Sequence, residues 1–172
     1  MKKFWNLEKL IGIVAFVISL GTLFTFIYQT RLMREHQRAS VLPYLEINYL
    51  TWPDNFVLQV ENNGIGPAFV KDVRIKYKDS IYHLDPADFL IDKLLPSDTV
   101  EPFILSQYSI SKGMLIPAGK TVKMLSAKGK EGCVYLTKIF AKKAAVTEIT
   151  YSSIYQETWI TKGFNPPVQI ED

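Results

Sequence analysis

The chain has little of what catalytic and redox sites are built from. It carries one cysteine, Cys133, and so no disulfide framework. It has two histidines, His36 and His83. No G-x-S-x-G or H-E-x-x-H occurs, and no glycine-rich loop precedes a helix, since Gly113 and Gly119 stand apart. These absences argue against serine hydrolases, zinc peptidases and P-loop nucleotide enzymes. A nucleophilic Cys133 would need a histidine partner, and the better reading of it is a small buried thiol. No catalytic residue, metal ligand or cofactor site is assigned.

A second absence is more telling. Between Lys9 and Arg31 no residue is charged, and the 21 residues Leu10 to Thr30 read LIGIVAFVISLGTLFTFIYQT. As a helix this window is about 31 Å long, the thickness of a bilayer's hydrocarbon core. A cleaved signal peptide has a shorter apolar core and a small-residue cleavage site. Here the run ends in Tyr28-Gln29-Thr30-Arg31, with no A-x-A pattern nearby. A buried core helix is seldom apolar on every face for five turns. The expectation is a transmembrane helix over 10–30, after a short basic tail over 1–9.

Lys2, Lys3 and Lys9 precede the window, and Arg31, Arg34 and Arg38 follow it, so the positive-inside count ties at three against three. The lone cysteine turns the expectation toward a cytoplasmic C-terminal domain at the bacterial inner membrane, with the periplasmic side as the alternative. Gly12, Ala15, Ser19 and Thr22 share one helical stripe, a small-residue face of the kind along which spans associate.

The net charge of +3 is unevenly placed. Residues 1–38 hold six Lys or Arg against Glu8 and Glu35, a balance of +4, while residues 39–172 hold fourteen against fifteen, a balance of −1. Arg31, Arg34 and Arg38 form a collar suited to anionic lipid, at about 1 kcal/mol per cation near the surface. The remaining domain has no net positive field, which argues against nucleic acid as a partner. A basic helix and linker over 31–42 end at Pro43, which disfavours helix in the residue before it.

Residues 43–164 alternate as strands. Leu45, Ile47 and Tyr49 oppose Glu46 and Asn48; Phe56, Leu58 and Val60 alternate next; Val73, Ile75 and Tyr77 oppose Asp72, Arg74, Lys76 and Lys78. Three such strands read as an antiparallel sheet wetted on one side. Val122 and Met124 are assigned inward, with Thr121, Lys123 and Leu125 opposite. Val146–Tyr151 and Thr158–Thr161 read as two later strands. Asp85-Pro86-Ala87-Asp88 is a helix start, with an acceptor before a proline and an acid in the first turn. Phe89, Leu90, Leu94 and Leu95 follow, and Pro96 ends that element. A second helix is expected over Gly132–Lys143, with Leu136, Ile139 and Phe140 on one face. Residues 165–172, beyond Gly163 and with Pro166 and Pro167, read as an irregular tail. The fold class is mainly β: an antiparallel β-sandwich with one or two short helices.

The turn Asn62-Asn63-Gly64-Ile65-Gly66-Pro67 is rich in residues that tolerate positive φ or cannot donate to a ladder. With Ala68 it makes an N-x-G-x-G-P-A pattern. Ile116-Pro117-Ala118-Gly119 and Tyr151-Ser152 through Trp159 add two further motifs. Together they resemble uncharacterised bacterial single-span membrane proteins whose outer domain is an immunoglobulin-like sandwich. The resemblance implies that fold and a membrane location, and it implies no enzymatic activity.

Two surfaces are candidates for binding. Lys71, Arg74, Lys76 and Lys78 form a row of cations that meets phosphate or carboxylate, or else is the wet face of a sheet. The aromatics Tyr151, Tyr155, Trp159 and Phe164 serve an interface or a core. His83-Leu84-Asp85-Pro86-Ala87-Asp88 holds ligand-type side chains but matches no zinc or calcium loop. The leading expectation is a single-pass, non-enzymatic interaction protein, partnered by the bilayer and by a protein or a second copy. It would serve as a subunit of a membrane complex or as a bacterial defence effector. The alternative is a membrane-tethered sensor of an anionic small ligand such as a nucleotide, read by the cationic row.

Overall fold

The computed structural model describes residues 2–94, 104–142 and 144–170, without the side chains of residues 2–6 and 104–107. The chain divides after Ser40 into a helical unit and a second compact unit. The fold is mixed: one N-terminal apolar helix long enough to cross a membrane, two antiparallel sheets and two short helices.

Helix α1 spans Lys2–Ala39. Its three threonine hydroxyls are bonded internally. Thr22, Thr25 and Thr30 donate to the carbonyls of Ile18, Gly21 and Phe26 at 2.9, 2.9 and 2.8 Å. These three hydroxyls are thereby satisfied within the helix, which suits an apolar surrounding. His36 and Arg38 in the last turn oppose the negative end of the helix dipole, and the Ser40 N–H closes the end on the His36 carbonyl at 2.9 Å.

The second unit opens with strand β1 (Leu45–Trp52), then β2 (Asn55–Asn62), β3 (Ala68–Tyr77) and β4 (Ser80–Tyr82). Helix α2 (Pro86–Phe89) runs on as a π-helical turn, Leu90–Leu94. Strands β5 (Ile104–Gln107), β6 (Leu115–Ile116) and β7 (Thr121–Lys128) come next. Helix α3 (Lys130–Leu136) and its π-helical continuation Thr137–Ala141 follow, and β8 (Ala145–Ser152), β9 (Thr158–Lys162) and β10 (Val168–Ile170) complete the unit. One sheet has the order β1-β2-β7-β5, the other β10-β9-β8-β3-β4, with β6 beside β3. Both sheets contribute to a single core, in which Leu45, Phe56 and Leu58 of one meet Ile75, Ile149 and Tyr151 of the other.

Four sequence expectations need correction. The first three strands do not form one sheet, because β3 belongs to the second sheet and the Asn62–Pro67 turn carries the chain between the two. Residues 165–172 are not wholly irregular: Val168–Ile170 pairs with Ile160–Thr158, and three residues after two prolines are too few to show a period. Leu125 is buried beside Met124 rather than opposite it. A bulge in the β2–β7 ladder pairs Leu58 with Leu125 and Gln59 with Lys123, leaving Met124 unpaired and shifting the alternation. Helix α3 starts at Lys130, two residues before Gly132, with Gly129 at φ 94° supplying the entry. Leu136 and Phe140 are buried on it, with Ile139 packed against the core. The end placed at Pro96 lies outside the described residues.

One side chain holds the crossover. Asn62 is buried, its Oδ1 accepts from the Tyr44 and Gly64 N–H groups at 3.1 Å each, and its Nδ2 donates to the Gly66 and Ile116 carbonyls at 2.8 and 3.0 Å. Its own N–H and carbonyl bond Lys120 and Gly119 at 3.0 and 2.8 Å. The turn, residues 41–44, β6 and the 117–120 turn thus converge on one amide. Gly64 and Gly66 have no room for a β-carbon, which would overlap the backbone of residues 41–44. The N–H groups of Ile65 and Gly66 bond the Leu42 carbonyl at 3.0 and 3.2 Å, so Val41 and Leu42 are integral to this unit. Pro67 leads directly into β3.

A second cross-link is internal to the core. The Leu45 N–H donates to the Tyr151 hydroxyl at 3.1 Å, joining β1 to β8. Burial pushes this phenol up to about 12 from 10.0, although the Leu45 bond acts the other way.

Two outcomes follow. Asn62→Ala strands two N–H groups and two carbonyls, at about 1–3 kcal/mol for each buried one, and lowers unfolding stability by about 3 kcal/mol or more. Asn63→Ala loses only an exposed bond to Glu46 and costs under about 1 kcal/mol. Denaturant titration of the detergent-solubilised chain separates them. Tyr151 keeps its proton when folded after the unfolded chain has released it. Its contribution is complete below pH 10.0 and is lost, at about 1.4 kcal/mol per pH unit, as pH rises toward about 12. Tyr151→Phe flattens that slope in alkaline melting curves.

Candidate functional site

The cationic row lies on β3, whose bulge sits at Lys71: Val70 pairs with Tyr151 and Asp72 with Thr150, leaving Lys71 as the extra residue. Beyond it, Asp72, Arg74 and Lys76 share the face away from the core. Arg74 already has a carboxylate partner. Its Nε donates to Glu148 Oε2 at 2.7 Å, with the arginine side chain 31% and the glutamate 11% exposed. Arg74 stands directly opposite Glu148 in register, and Glu148 in turn opposite Lys162 on β9, so the charges alternate across three strands. Lys71 Nζ donates to Gln156 Oε1 at 3.2 Å. Lys78 is a turn residue, past the end of the strand, at φ 54°. Its Nζ lies 5.2 Å from the centre of the Tyr77 ring. Lys76 alone of the four is an exposed strand cation with no partner among the described residues. The row is not a continuous anion-binding face: Arg74 is charge-paired, Lys71 bonds a neutral amide and Lys78 lies in a turn. Sequence reasoning missed Glu148 and Gln156 because both lie more than 70 residues away; register brings Glu148 across, and the loop between β8 and β9 brings Gln156.

The small-residue face of α1 keeps its geometry. Gly12 has nothing within 4 Å of where a β-carbon would stand. Ala15, Ser19 and Thr22 are exposed, and the Thr22 hydroxyl is spent on Ile18, so Thr22 presents a methyl group. Arg31, Arg34 and Arg38 are exposed beyond the apolar window.

His83, Cys133 and an acid do not converge. His83 Nδ1 lies 3.3 Å from Asp72 Oδ1, with its side chain 68% exposed. Cys133 lines a different cavity, with Trp52, Pro53 and Val134. Burial, and then the nearby Asp54 charge, push the Cys133 thiol up, so it is less nucleophilic than a free thiol. Asp85 caps α2 as the helix-start chemistry requires: its Oδ1 accepts from the Ala87 and Asp88 N–H groups at 2.9 Å each. Among the described residues, no three His, Cys, Asp or Glu side chains are placed to hold one metal ion. Of the late aromatics, Tyr151 is core, Trp159 and Phe164 pack against it, and Tyr155 is exposed.

No family model, no curated protein and no solved structure matches the chain. The roles of these residues therefore rest on their own geometry, which makes two predictions. A double-mutant cycle on Arg74→Ala and Glu148→Ala returns a coupling of about 1 kcal/mol, above that of a solvent-exposed strand pair. Maleimide modifies Cys133 at least about tenfold more slowly than a cysteine placed by Lys76→Cys in the Cys133→Ala background.

Proposed function

We propose that the chain is a single-pass, membrane-anchored binding protein without enzymatic activity. Its span self-associates, and its two sheets form an immunoglobulin-like sandwich that engages a protein partner or a second copy. The observation that carries this reading is the surface of α1. From Leu7 to Ala39 the helix is long and apolar enough to cross a bilayer, and no part of its apolar window is buried against protein. Phe16, Ile18 and Phe24 point in different directions and are 67%, 63% and 65% exposed. Such a surface is stable in lipid and not in water.

Self-association is supported by the stripe Gly12, Ala15, Ser19 and Thr22, where two helices can approach closely without losing a hydrogen bond. The Arg31, Arg34 and Arg38 collar fits anionic headgroups at one face of the membrane. A bacterial inner membrane, a domain on the cytoplasmic side, and a part in a membrane complex or a defence system complete the proposal. The sensor reading has weaker support, because Arg74 is already neutralised by Glu148 and Lys71 is already bonded to Gln156.

Carbonate-washed membranes retain the full-length chain, and in-membrane crosslinking yields a dimer or higher species. Ala15→Leu and Ser19→Leu each reduce that species several-fold while leaving the chain in the membrane fraction. A chain that stays monomeric in every case removes the self-association; a chain released by carbonate at full length removes the anchor.

A further inference from the structure

The second unit carries its charge unevenly. Residues 128–143 hold five lysines against Glu131, a balance of +4, while the rest of 39–172 holds nine Lys or Arg against fourteen acids, a balance of −5. Most of this basic segment is α3 and its π-helical continuation. The inner side of that element is core, where Cys133, Leu136 and Phe140 are buried. Its outer side is apolar as well as basic. Val134 is 58% exposed, and Trp52, at the end of β1, is 51% exposed. Both line one cavity of about 230 Å³, with Lys138 and Lys142 in the same wall. A wider hollow of about 500 Å³ shares Val134 and Lys138 and extends the surface to Lys130 and Tyr135. The Tyr135 hydroxyl donates to the Leu94 carbonyl at 3.3 Å.

Lys130, Lys138 and Lys142 are exposed and make no ion pair among the described residues. The acids at hand are Glu131 on α3 and Asp54 in the β1–β2 turn, both exposed and neither bonded to these lysines. An open indole and an open valine among unpaired ammonium groups match the boundary of an anionic bilayer. There the apolar groups enter between headgroups while the lysine stems extend their charges to phosphate. The chain itself brings such a surface close. Helix α1 is long and apolar enough to cross a bilayer. In a single-span chain everything after Arg31 lies on one side, so the collar Arg31, Arg34 and Arg38 and this surface face the same leaflet. The direct covalent connection holds the unit near that leaflet at high effective concentration, where weak contacts suffice.

We propose that the surface formed by α3 and Trp52 docks the second unit on an anionic bilayer leaflet, with Trp52 and Val134 in the headgroup boundary and Lys130, Lys138 and Lys142 on lipid phosphates. The inference rests on the membrane reading of α1, which supplies the tether.

The test uses the full-length chain reconstituted in vesicles. A bimane label is placed by Val134→Cys or, as the control, by Lys76→Cys, each in the Cys133→Ala background. The quencher is phosphatidylcholine spin-labelled on its acyl chain near the headgroup. In phosphatidylcholine with about one quarter phosphatidylglycerol, the Val134→Cys label is quenched at least about threefold more than the Lys76→Cys label. That excess falls at least about threefold in phosphatidylcholine alone, in roughly 0.5 M salt, and in the combined variant Lys130→Gln, Lys138→Gln, Lys142→Gln. Trp52→Ser, which leaves every charge in place, also lowers it. Flotation of the same samples with phosphatidylcholine vesicles reads the anchor separately. A chain that floats while its two labels are quenched alike in the anionic vesicles overturns the docking and leaves the anchor standing. An excess unchanged in phosphatidylcholine alone and in the combined variant also overturns it, because the tether then accounts for the quenching. A chain that does not float overturns the anchor, and the docking with it.

Discussion

The second unit depends on one buried amide. Asn62 sits where the chain leaves the first sheet for the second, and every hydrogen-bonding group it owns is engaged. An amide suits this position as no other side chain does. It offers two donors and two acceptor lone pairs from a short stem, and here it faces two N–H groups and two carbonyls together. Aspartate would set an acceptor against the carbonyls, and an apolar residue would leave four backbone groups without partners in a dry interior. The two glycines beside it meet a different constraint, since their α-carbons lie where the backbone of residues 41–44 must pass. Amide and glycines together explain why this stretch reads as a motif: its chemistry is dictated by backbone, and backbone geometry varies little with the rest of the sequence.

The same unit shows how charge is distributed when a sheet has one dry face. Arg74, Glu148 and Lys162 lie in register on three strands of the second sheet, and the closest pair is a charge-assisted hydrogen bond at 2.7 Å. On β3, Arg74 is neutralised by Glu148, whereas Lys71 bonds only a neutral amide and Lys76 has no partner among the described residues. Negative charge is left over at the start of α2, where Asp85 serves the helix with one oxygen and leaves the other buried. A charge census of the sequence leaves residues 39–172 at −1, and only register shows that Arg74, in the basic row, is paired with Glu148.

Much of the architecture was legible because it rests on local rules. The uncharged window predicts α1, and Pro43 predicts where the helical unit stops, within a few residues of Ala39. Asp85-Pro86 predicts the entry to α2, and the period of Leu136, Ile139 and Phe140 predicts the buried face of α3 and its continuation. Alternation located most strands. It failed at the bulge beside Met124, because an inserted residue reverses the parity on which the reading relies. It also missed β10, which exists only because β9 offers an edge to pair with.

The sequence by itself determined a helix that lipid suits and water does not, the turns, and the pattern of inward residues along each strand. All of these depend on neighbours within a few positions, where covalent geometry sets which side chains share a face. Only the tertiary structure decided that β3 crosses to a second sheet, that Arg74 is spent on Glu148, and that Asp85 keeps a carboxylate oxygen buried without a partner. Each of these is a relation between residues far apart in the chain, created by strand pairing and packing rather than by any local preference.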